Sequence, residues 1–274
     1  MWPCIMVVAA AIAILTMFVC INNKKSIPLI VIMFFVGAKS MNIMVNIDSF
    51  FEPYLLSGNS VLHIFMNKLM SSGLNEELVK FSILIIFSLL TNVLITRYDV
   101  IMYSVVISIG MATLETIGYV LMNNDNQLEI ALARIALCIT GHCVYAIIMG
   151  YFYGLARISI SKKKWLKGST YLLLALIVPM FLHTTYNTII EIIPRVDVIF
   201  IVGIIKCLIG SIIVCYTLKN NRPIKMTEEF DKKMMPYEYK LLPKEILAII
   251  SVLAVYAIIY FVYTLIQGII VVTF

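Results

Sequence analysis

The sequence predicts an all-α integral membrane protein, a polytopic bundle of about eight transmembrane helices that forms one domain over residues 1–274. Of the 274 residues, 62% are hydrophobic and only 13% are charged. The mean hydropathy of +1.00 lies well above the usual range of soluble domains. Apolar runs of roughly 20 residues, long enough to span a bilayer as helices, recur along the chain. They cover Trp2–Ile21, Ile27–Ile47, Asn75–Ile95, Val100–Met122, Leu128–Ala156, Thr170–Ile190, Val196–Leu218 and Ile246–Val272.

The first apolar run is predicted to be a retained helix. A secretory signal carries positive charge before its apolar stretch. Here the positive charges, Lys24 and Lys25, follow the stretch instead.

Basic residues in short loops predict the orientation, because Lys and Arg near helix ends stay cytoplasmic. Three basic loops follow the first, fifth and seventh spans, and alternation puts all three in the cytoplasm when the N-terminus is outside. We therefore expect both termini to be extracytoplasmic. These loops account for the net charge of +6, which also favours contact with anionic lipid; no basic, aromatic-rich patch indicates nucleic-acid binding. The loop residues are Lys24, Lys25, Arg157, Lys162, Lys163, Lys164, Lys167, Lys219, Arg222, Lys225, Lys232, Lys233, Lys240 and Lys244.

The six cysteines all lie inside apolar runs, and none forms a C-x-x-C pair. Disulfide frameworks and zinc-thiolate sites favour loop or turn positions. The cysteines are therefore predicted to act as small apolar residues. They are Cys4, Cys20, Cys138, Cys143, Cys207 and Cys215.

A charged group opens the third span, where Glu76, Glu77 and Lys80 precede an apolar run. Each charge in a membrane helix costs roughly 2.5–3.5 kcal/mol on insertion scales. Lys80 lies three and four residues after the glutamates, so it can pair with either. Taken alone, the pattern favours an ordinary helix N-terminus, with Asn75 as the cap and the glutamates complementing the helix dipole.

Glu115 lies well inside the fourth span, where capping offers no explanation. Tyr119 follows it by one helical turn. Acidic residues inside membranes usually mark functional sites. The alternative is a structural carboxyl group that joins helices, either held neutral by burial or paired with Arg134.

The fifth span repeats polar residues every four positions, at Arg134, Cys138 and His142. This spacing puts the three side chains on one helix face. Gly150 and Gly154 follow and are predicted to form a small-residue packing surface.

In the sixth span, His183 and Asn187 are also four residues apart. Both can point at one substrate or water molecule, or they can form a structural hydrogen-bonded pair. Lys206, halfway along the seventh span, has no evident partner, and we assign it no catalytic role. It is expected to snorkel, to meet a carboxylate or to contact a lipid head group.

The depth of each residue tests whether these side chains can meet. Glu115 and His183 each lie seven residues from the outer end of the predicted span, or roughly 10 Å at 1.5 Å per residue. His142 lies deeper, at roughly 20 Å by the same rise. It reaches the others only if Glu76 and Glu77 sink inward or the fifth helix starts late.

Carboxylates and histidines that converge in a lipid-enclosed cavity suit the activation of water for peptide hydrolysis. A desolvated Glu can accept and return a proton, while His and Asn donors stabilise the oxyanion. In the alternative chemistry, Glu115, His142 and His183 bind a zinc-type ion, and Glu76 or Glu77 is the base. No H-E-x-x-H motif is present, so the spacing does not support a metal cofactor, and a divalent ion stays an open alternative.

Four short motifs on four consecutive spans together resemble, in order, those of the PrsW family of bacterial intramembrane proteases. The match covers Gly73 to Ile190, so we take residues 73–190 as the protease core. The motifs are Glu76-Glu77-x-x-Lys80, Glu115-x-x-x-Tyr119, His142 followed by Gly150 and Gly154, and His183-x-x-x-Asn187.

The resemblance implies a protease of the bacterial cell membrane that makes the first, site-1-type cut in an anti-sigma factor during a stress response. The expected partners are such a single-span protein and membrane lipid. The resemblance also makes Glu76 and Glu77 the catalytic glutamates, with Lys80 tuning or anchoring them. His183 resembles the essential histidine, and Asn187 would help to hold the oxyanion.

Glu115 and His142 match family positions that imply a supporting catalytic role or metal ligation, and Tyr119 and Arg134 are expected to support them. The first family motif often begins with one more acid, where this chain has Asn75. Because Glu115 and His183 can reach the depth of Glu76 and Glu77 and the motifs match one family, a catalytic glutamate pair is favoured over a capped helix N-terminus.

The PrsW family is similar to the superfamily of CAAX prenyl endopeptidases and bacteriocin-immunity proteins, whose members carry Glu-Glu-x-x-x-Arg and Phe-x-x-x-His. Phe81 occupies the Arg position here, and the fourth span contains no histidine. Prenyl-peptide processing is therefore disfavoured. Three further functions stay open at this point: bacteriocin processing or immunity, a non-catalytic sensor on the same scaffold, and proton-coupled transport.

Overall fold

The computed structural model describes residues 1–20, 26–52, 60–91, 93–123 and 125–221, and the single positions 55, 58 and 224. Within these ranges the chain forms helices and no strand, which confirms the all-α prediction. Two short π-helical segments, Leu69–Leu74 and Ile135–Ile139, interrupt the α-helices. The α-helices are α1 (Trp2–Cys20), α2 (Ile27–Phe51), α3 (Val61–Lys68), α4 (Asn75–Leu90), α5 (Arg97–Met122), α6 (Gln127–Arg134), α7 (Thr140–Ser161), α8 (Trp165–Ile192) and α9 (Val196–Lys219).

Six helices in the described part are long and apolar enough to cross a membrane, which confirms a polytopic membrane bundle. They are α1, α2, α5, the joined α6–α7 unit, α8 and α9, and they match six of the predicted spans. The third predicted span, Asn75–Ile95, was too long: α4 ends at Leu90, because the backbone of Thr91 is extended. The eighth predicted span, Ile246–Val272, lies outside the described residues.

Helix α5 is the centre of the bundle and the most buried of the six candidate spans. It begins with a capping box, in which Thr96 accepts a hydrogen bond from the Asp99 backbone and the Asp99 side chain accepts one from the Thr96 backbone. Helices α1, α2 and α7 pack around it. A Cβ atom at Gly150 of α7 would lie 2.6 Å from the Ile101 Cα, so the predicted small-residue surface lets α7 reach the α5 backbone.

Side chains at one end of the bundle join the helix ends that precede the predicted cytoplasmic loops. The Tyr98 hydroxyl donates to the Phe18 carbonyl at 2.8 Å, and the Arg97 guanidinium donates to the Asn220 carbonyl. Arg157 donates to a carbonyl of the α4–α5 loop at 3.4 Å. The ends of α1, α7 and α9 therefore lie together, as the predicted alternation requires; we call this the basic end.

Candidate active site

Glu76 and Glu77 lie in the middle of a continuous helix rather than at its start. The junction residues Leu69 and Asn75 both have helical backbone angles, φ −62°, ψ −44° and φ −60°, ψ −53°. The helix therefore continues from Val61 through the π-helical segment to the end of α4. The capping interpretation of the sequence is wrong, because these residues are not the first turn of a helix.

Asn75 ties α4 to α2 instead of capping a helix. Its side-chain amide donates to the Asp48 carboxylate at 2.5 Å and to the Met44 carbonyl at 3.1 Å. An acid at position 75 could make neither of these bonds in its ionised form. Asn75 stands where the family motif often has an acid, and here the acid is Asp48 on the facing helix α2.

A π-helical segment comes immediately before each half of the site. Leu69–Leu74 precedes the glutamates, and Ile135–Ile139 precedes His142. A π-helical turn holds an extra residue and is frequent at functional sites. It changes the helix face on which the following side chains lie, so these two turns help to aim the site residues at one another.

Gly73, in the first π-helical segment, permits close contact with α8 beside His183. A Cβ atom there would lie 1.9 Å from the Thr184 Oγ and 3.1 Å from the Met180 carbonyl oxygen. Only a residue without a side chain fits this approach. The segment that carries Glu76 and Glu77 is thereby held against the helix that carries His183.

The ammonium of Lys80 lies at the centre of the site. Its Nζ atom is 2.7 Å from Glu77 Oε1, 3.0 Å from His142 Nδ1 and 3.5 Å from Glu76 Oε2. Because an ammonium can only donate, His142 Nδ1 accepts and the imidazole proton is on Nε2. That Nε2 lies 3.3 Å from Glu115 Oε2, so His142 links Lys80 to Glu115.

Glu77 is fully buried and anchors His183. Its Oε1 atom lies 2.9 Å from His183 Nδ1 and also accepts from Lys80. A carboxylate accepts, so His183 Nδ1 carries a proton, and in the neutral imidazole the Nε2 atom keeps its lone pair. Glu76 is held less firmly, because its ion pair with Lys80 is longer, at 3.5 Å from Oε2 to Nζ. Both glutamates keep a buried Oε2 atom without a hydrogen bond.

The charges of this cluster do not balance. Two carboxylates and one ammonium leave one negative charge in excess, and His142 and His183 are neutral when they carry these tautomers. An uncompensated buried charge is costly. The site therefore suits a proton on one glutamate or a bound cation.

Glu115 pairs with Arg134 and also reaches the site. Its Oε1 atom is 2.6 Å from Arg134 Nη2, while the other oxygen faces His142. The Arg134 guanidinium carbon lies 3.9 Å from the ring centroid of Tyr119. The structural pairing with Arg134 is thus confirmed, and Glu115 also orients His142.

A cavity of about 520 Å³ adjoins these groups. Its lining includes Asn187, whose side chain donates to the Ser72 hydroxyl at 2.8 Å. The lining runs from the site to Lys68 and Glu191, an ion pair of 2.6 Å at the end of the bundle opposite the basic end. Further lining residues are Glu76, Glu115, Tyr119, Arg134, Cys138, His142 and His183.

The structure brings His142 into the cluster, although its predicted depth argued against this. The glutamates lie well inside the helix that begins at Val61, so they sink inward as such a meeting requires. His142 lies similarly far from Gln127, the first residue of α6. The two long helices therefore carry their site residues to a common depth.

Comparison with known proteins supports the same assignment. A sequence model described as PrsW family intramembrane metalloprotease matches residues 25–215. The chain belongs to the PrsW family. Its relatives include the Protease PrsW of Geobacillus kaustophilus (strain HTA426), 30% identical over 66% of this chain and 76% of the relative. The Protease PrsW of Bacillus subtilis (strain 168) is 32% identical over 66% and 78%, respectively. No solved structure matches significantly.

As a PrsW family member, the chain is an intramembrane protease, and its site has a donor set suited to a metal ion. Glu76, Glu77, His142 and His183 each offer a ligand atom, and these atoms all lie within 4.8 Å of one another. Two carboxylates and two imidazoles are donors that zinc accepts. This set differs from the one considered in the sequence, since Glu76 and Glu77 take the place of Glu115.

Sequence motifs did not single out Tyr145 or Asp48, which also line the cavity. Tyr145 follows His142 by three residues, so helical spacing was a usable signal. Asp48 stands alone near the end of α2 and gave no such signal. Lys206 neither snorkels nor joins any ion pair of the described residues; its Nζ atom lies 3.1 Å from the Tyr186 ring centroid and 3.3 Å from the Tyr145 hydroxyl.

The contact between Asn75 and Asp48 can be tested by exchanging the two side chains. We expect Asn75→Asp to lower the free energy of unfolding by about 1–3 kcal/mol, because two carboxylates would then face each other in a partly buried site. The double variant Asn75→Asp, Asp48→Asn should recover most of this loss. Thermal unfolding in detergent, followed by labelling of the buried thiols Cys143 and Cys207, measures both effects. A double variant no more stable than Asn75→Asp alone would contradict the pairing.

Proposed function

We propose that this protein is an endopeptidase that cuts a single-span membrane protein, such as an anti-sigma factor, near its extracytoplasmic end. The observation that carries the proposal is the buried meeting of Glu76, Glu77, His142 and His183 beside the cavity. Buried carboxylates and imidazoles beside a cavity that reaches one end of the bundle are suited to activating one water molecule.

The two glutamates take different roles in this mechanism. Glu77 is held by Lys80 and His183 through one oxygen, so it positions these two groups. Glu76 lines the cavity, which Glu77 does not, and acts as the base. The His183 Nε2 lone pair accepts a hydrogen bond from the water and orients it.

Hydrolysis then proceeds in two balanced steps. Glu76 takes a proton from the water as the water oxygen bonds to the peptide carbonyl carbon, and the C=O electron pair moves onto the carbonyl oxygen. Asn187 has a second N–H beyond the one that binds Ser72 and can donate it to this oxyanion. When the C–N bond breaks, Glu76 returns the proton to the leaving nitrogen.

A divalent ion fits the same donor set and would take over contacts that Lys80 makes. It would be held by Glu76, Glu77, His142 and His183, so Glu76 would then be a ligand instead of the free base. Glu115 would orient His142 from behind, as partners of ligating histidines commonly do. A bound ion of this kind polarises the carbonyl group and favours deprotonation of water. The excess negative charge of the cluster supports this assignment.

The position of the cavity supports an extracytoplasmic cut. If the basic end faces the cytoplasm, the Lys68–Glu191 pair lies at the outer surface, and so does the cavity lining that reaches it. Glu115 lies seven residues from Met122, the outer end of α5.

Phe81, at the position where the prenyl endopeptidases have Arg, packs against Tyr153 at 5.9 Å between ring centroids and does not line the cavity.

Substitution of the proposed catalytic groups tests the mechanism. We expect Glu76→Gln, Glu77→Gln and His183→Ala each to lower kcat by about 10²–10⁴-fold, because each removes the proton acceptor or its positioning. Glu52→Gln, an exposed acid at the end of α2, is the control and should cleave normally. A comparison of membrane proteomes from cells with the wild type and with Glu76→Gln identifies the substrate, and cleavage in proteoliposomes then measures the rates. Undiminished cleavage by Glu76→Gln and Glu77→Gln would overturn the proposal.

Metal analysis of the purified protein tests the donor set independently of activity. We expect about one zinc-type ion per chain in the wild type and less than about one tenth of that in His142→Ala, which loses one of four ligands. His63→Ala, which removes a histidine of α3 outside the cavity lining, is the matched control. Elemental mass spectrometry after size-exclusion chromatography gives the ratio. An active enzyme without bound metal would contradict the assignment.

A further inference from the structure

Lys206 is a buried lysine in the middle of α9, and its surroundings are unusual for an ammonium. Its Nζ atom lies 3.1 Å from the Tyr186 ring centroid and 3.3 Å from the Tyr145 hydroxyl oxygen. None of the ion pairs formed among the described residues includes it. An ammonium in this position is costly for the fold, which suggests a role beyond packing.

The chain leaves space for this ammonium beside the cavity. A Cβ atom at Gly141 would lie 3.1 Å from Lys206 Nζ and 3.9 Å from the Tyr145 hydroxyl. Gly141 and Tyr145 both line the cavity. Tyr145 therefore lies at the cavity wall, and Lys206, which is not among the lining residues, contacts its hydroxyl from behind.

Tyr145 also connects Lys206 to the catalytic cluster. The Tyr145 ring stacks on the His183 imidazole, with 4.8 Å between the ring centroids and 24° between the planes. His183 is the residue that Glu77 holds in place. Tyr145 is thus fixed on one side by the proposed catalytic histidine and on the other by the ammonium.

The direction of the hydrogen bond between these two residues leaves one donor available. An ammonium donates only, so the Tyr145 oxygen accepts from Lys206 and keeps its own O–H proton. No hydrogen bond found among the described residues uses that O–H as the donor. His183 cannot supply an equivalent donor, because its protonated nitrogen is already bound to Glu77.

We propose that Tyr145 donates its O–H to the carbonyl oxygen of the scissile peptide and that Lys206 strengthens this donor. This inference rests on the proposed peptidase function. As water adds to the carbonyl carbon, negative charge develops on the carbonyl oxygen. The Tyr145 hydroxyl and the second N–H of Asn187 stabilise this charge by donating hydrogen bonds to the oxygen. No proton is transferred from Tyr145. Lys206 acts through the tyrosine and touches no reacting atom, so it is a positioning residue that polarises the hydroxyl.

The test compares Tyr145→Phe, Lys206→Met and the double variant in proteoliposomes. The substrate is the single-span protein that is cut in wild-type cells and intact in Glu76→Gln cells. Tyr145→Phe keeps the ring against His183 and should lower kcat by about 10–10³-fold with KM within about twofold, because the lost bond forms mainly in the transition state. Lys206→Met should lower kcat less than Tyr145→Phe does, because the hydroxyl group is still present. The double variant should be no slower than Tyr145→Phe, because Lys206 acts through the hydroxyl.

Stability separates this role from a structural one. Lys206→Met replaces a buried ammonium with an apolar side chain of similar length, so its thermal midpoint should equal or exceed that of the wild type while kcat falls. Tyr153→Phe removes a hydroxyl from the same helix outside the cavity lining and should leave kcat unchanged.

The outcomes distinguish this inference from the proposed function. Normal kcat in Tyr145→Phe, alongside an inactive Glu76→Gln, would overturn the role of Tyr145 and leave the peptidase mechanism standing. Losses in Lys206→Met and Tyr145→Phe that multiply in the double variant would overturn the link between the two residues. Cleavage that survives both Glu76→Gln and Glu77→Gln, or no cleavage by the wild type, would remove the proposed function and this inference together.

Discussion

A single buried ammonium connects the elements of the site. Lys80 contacts Glu76 and Glu77 on its own helix and His142 on α7, and through Glu77 it is connected to His183 on α8. Without it, two carboxylates would face each other in a buried site, and repulsion would favour a proton on one of them. With it, one negative charge remains in excess, which the catalytic cycle can use to hold a proton or a cation. The same contacts fix the tautomers of both histidines. They also distinguish the two glutamates, because Glu77 binds Lys80 and His183 whereas Glu76 lines the cavity.

The helices are shaped to deliver these side chains to one depth. Glu76 and Glu77 sit far from the start of their helix, and a π-helical turn precedes them, as another precedes His142. Gly73 then lets the first of these turns lie directly against α8. Local backbone irregularity at both places is costly for a membrane helix, since every N–H and C=O group must find a partner inside the bundle. Its occurrence next to the site residues is consistent with selection for geometry rather than for stability.

Much of this arrangement could be predicted from residue types and spacing. The apolar runs predicted the helices, and Glu115, His142 and His183 stood out because polar residues are rare in such runs. Spacing could not show that Val61 to Leu90 is one helix, because Asn75-Glu76-Glu77 also has the pattern of a helix start. It could not pair Asn75 with Asp48 or Lys206 with Tyr145 either, since these contacts join distant helices. Lys80 was expected only to support the glutamates, and its contact with His142 depends on the packing of α4 against its neighbours.

The central claim is that Glu76 activates water in the extracytoplasmic half of the bundle, and the position of the scissile bond tests it most directly. Mass spectrometry of the fragments released in proteoliposomes gives this position for wild type and Glu76→Gln. The account predicts a cut in the extracytoplasmic half of the substrate's span, because Glu115, which faces His142, lies only seven residues from Met122. It also predicts no fragments with Glu76→Gln. A cut in the cytoplasmic half of the span, or the same fragments at the same rate from Glu76→Gln, would contradict it.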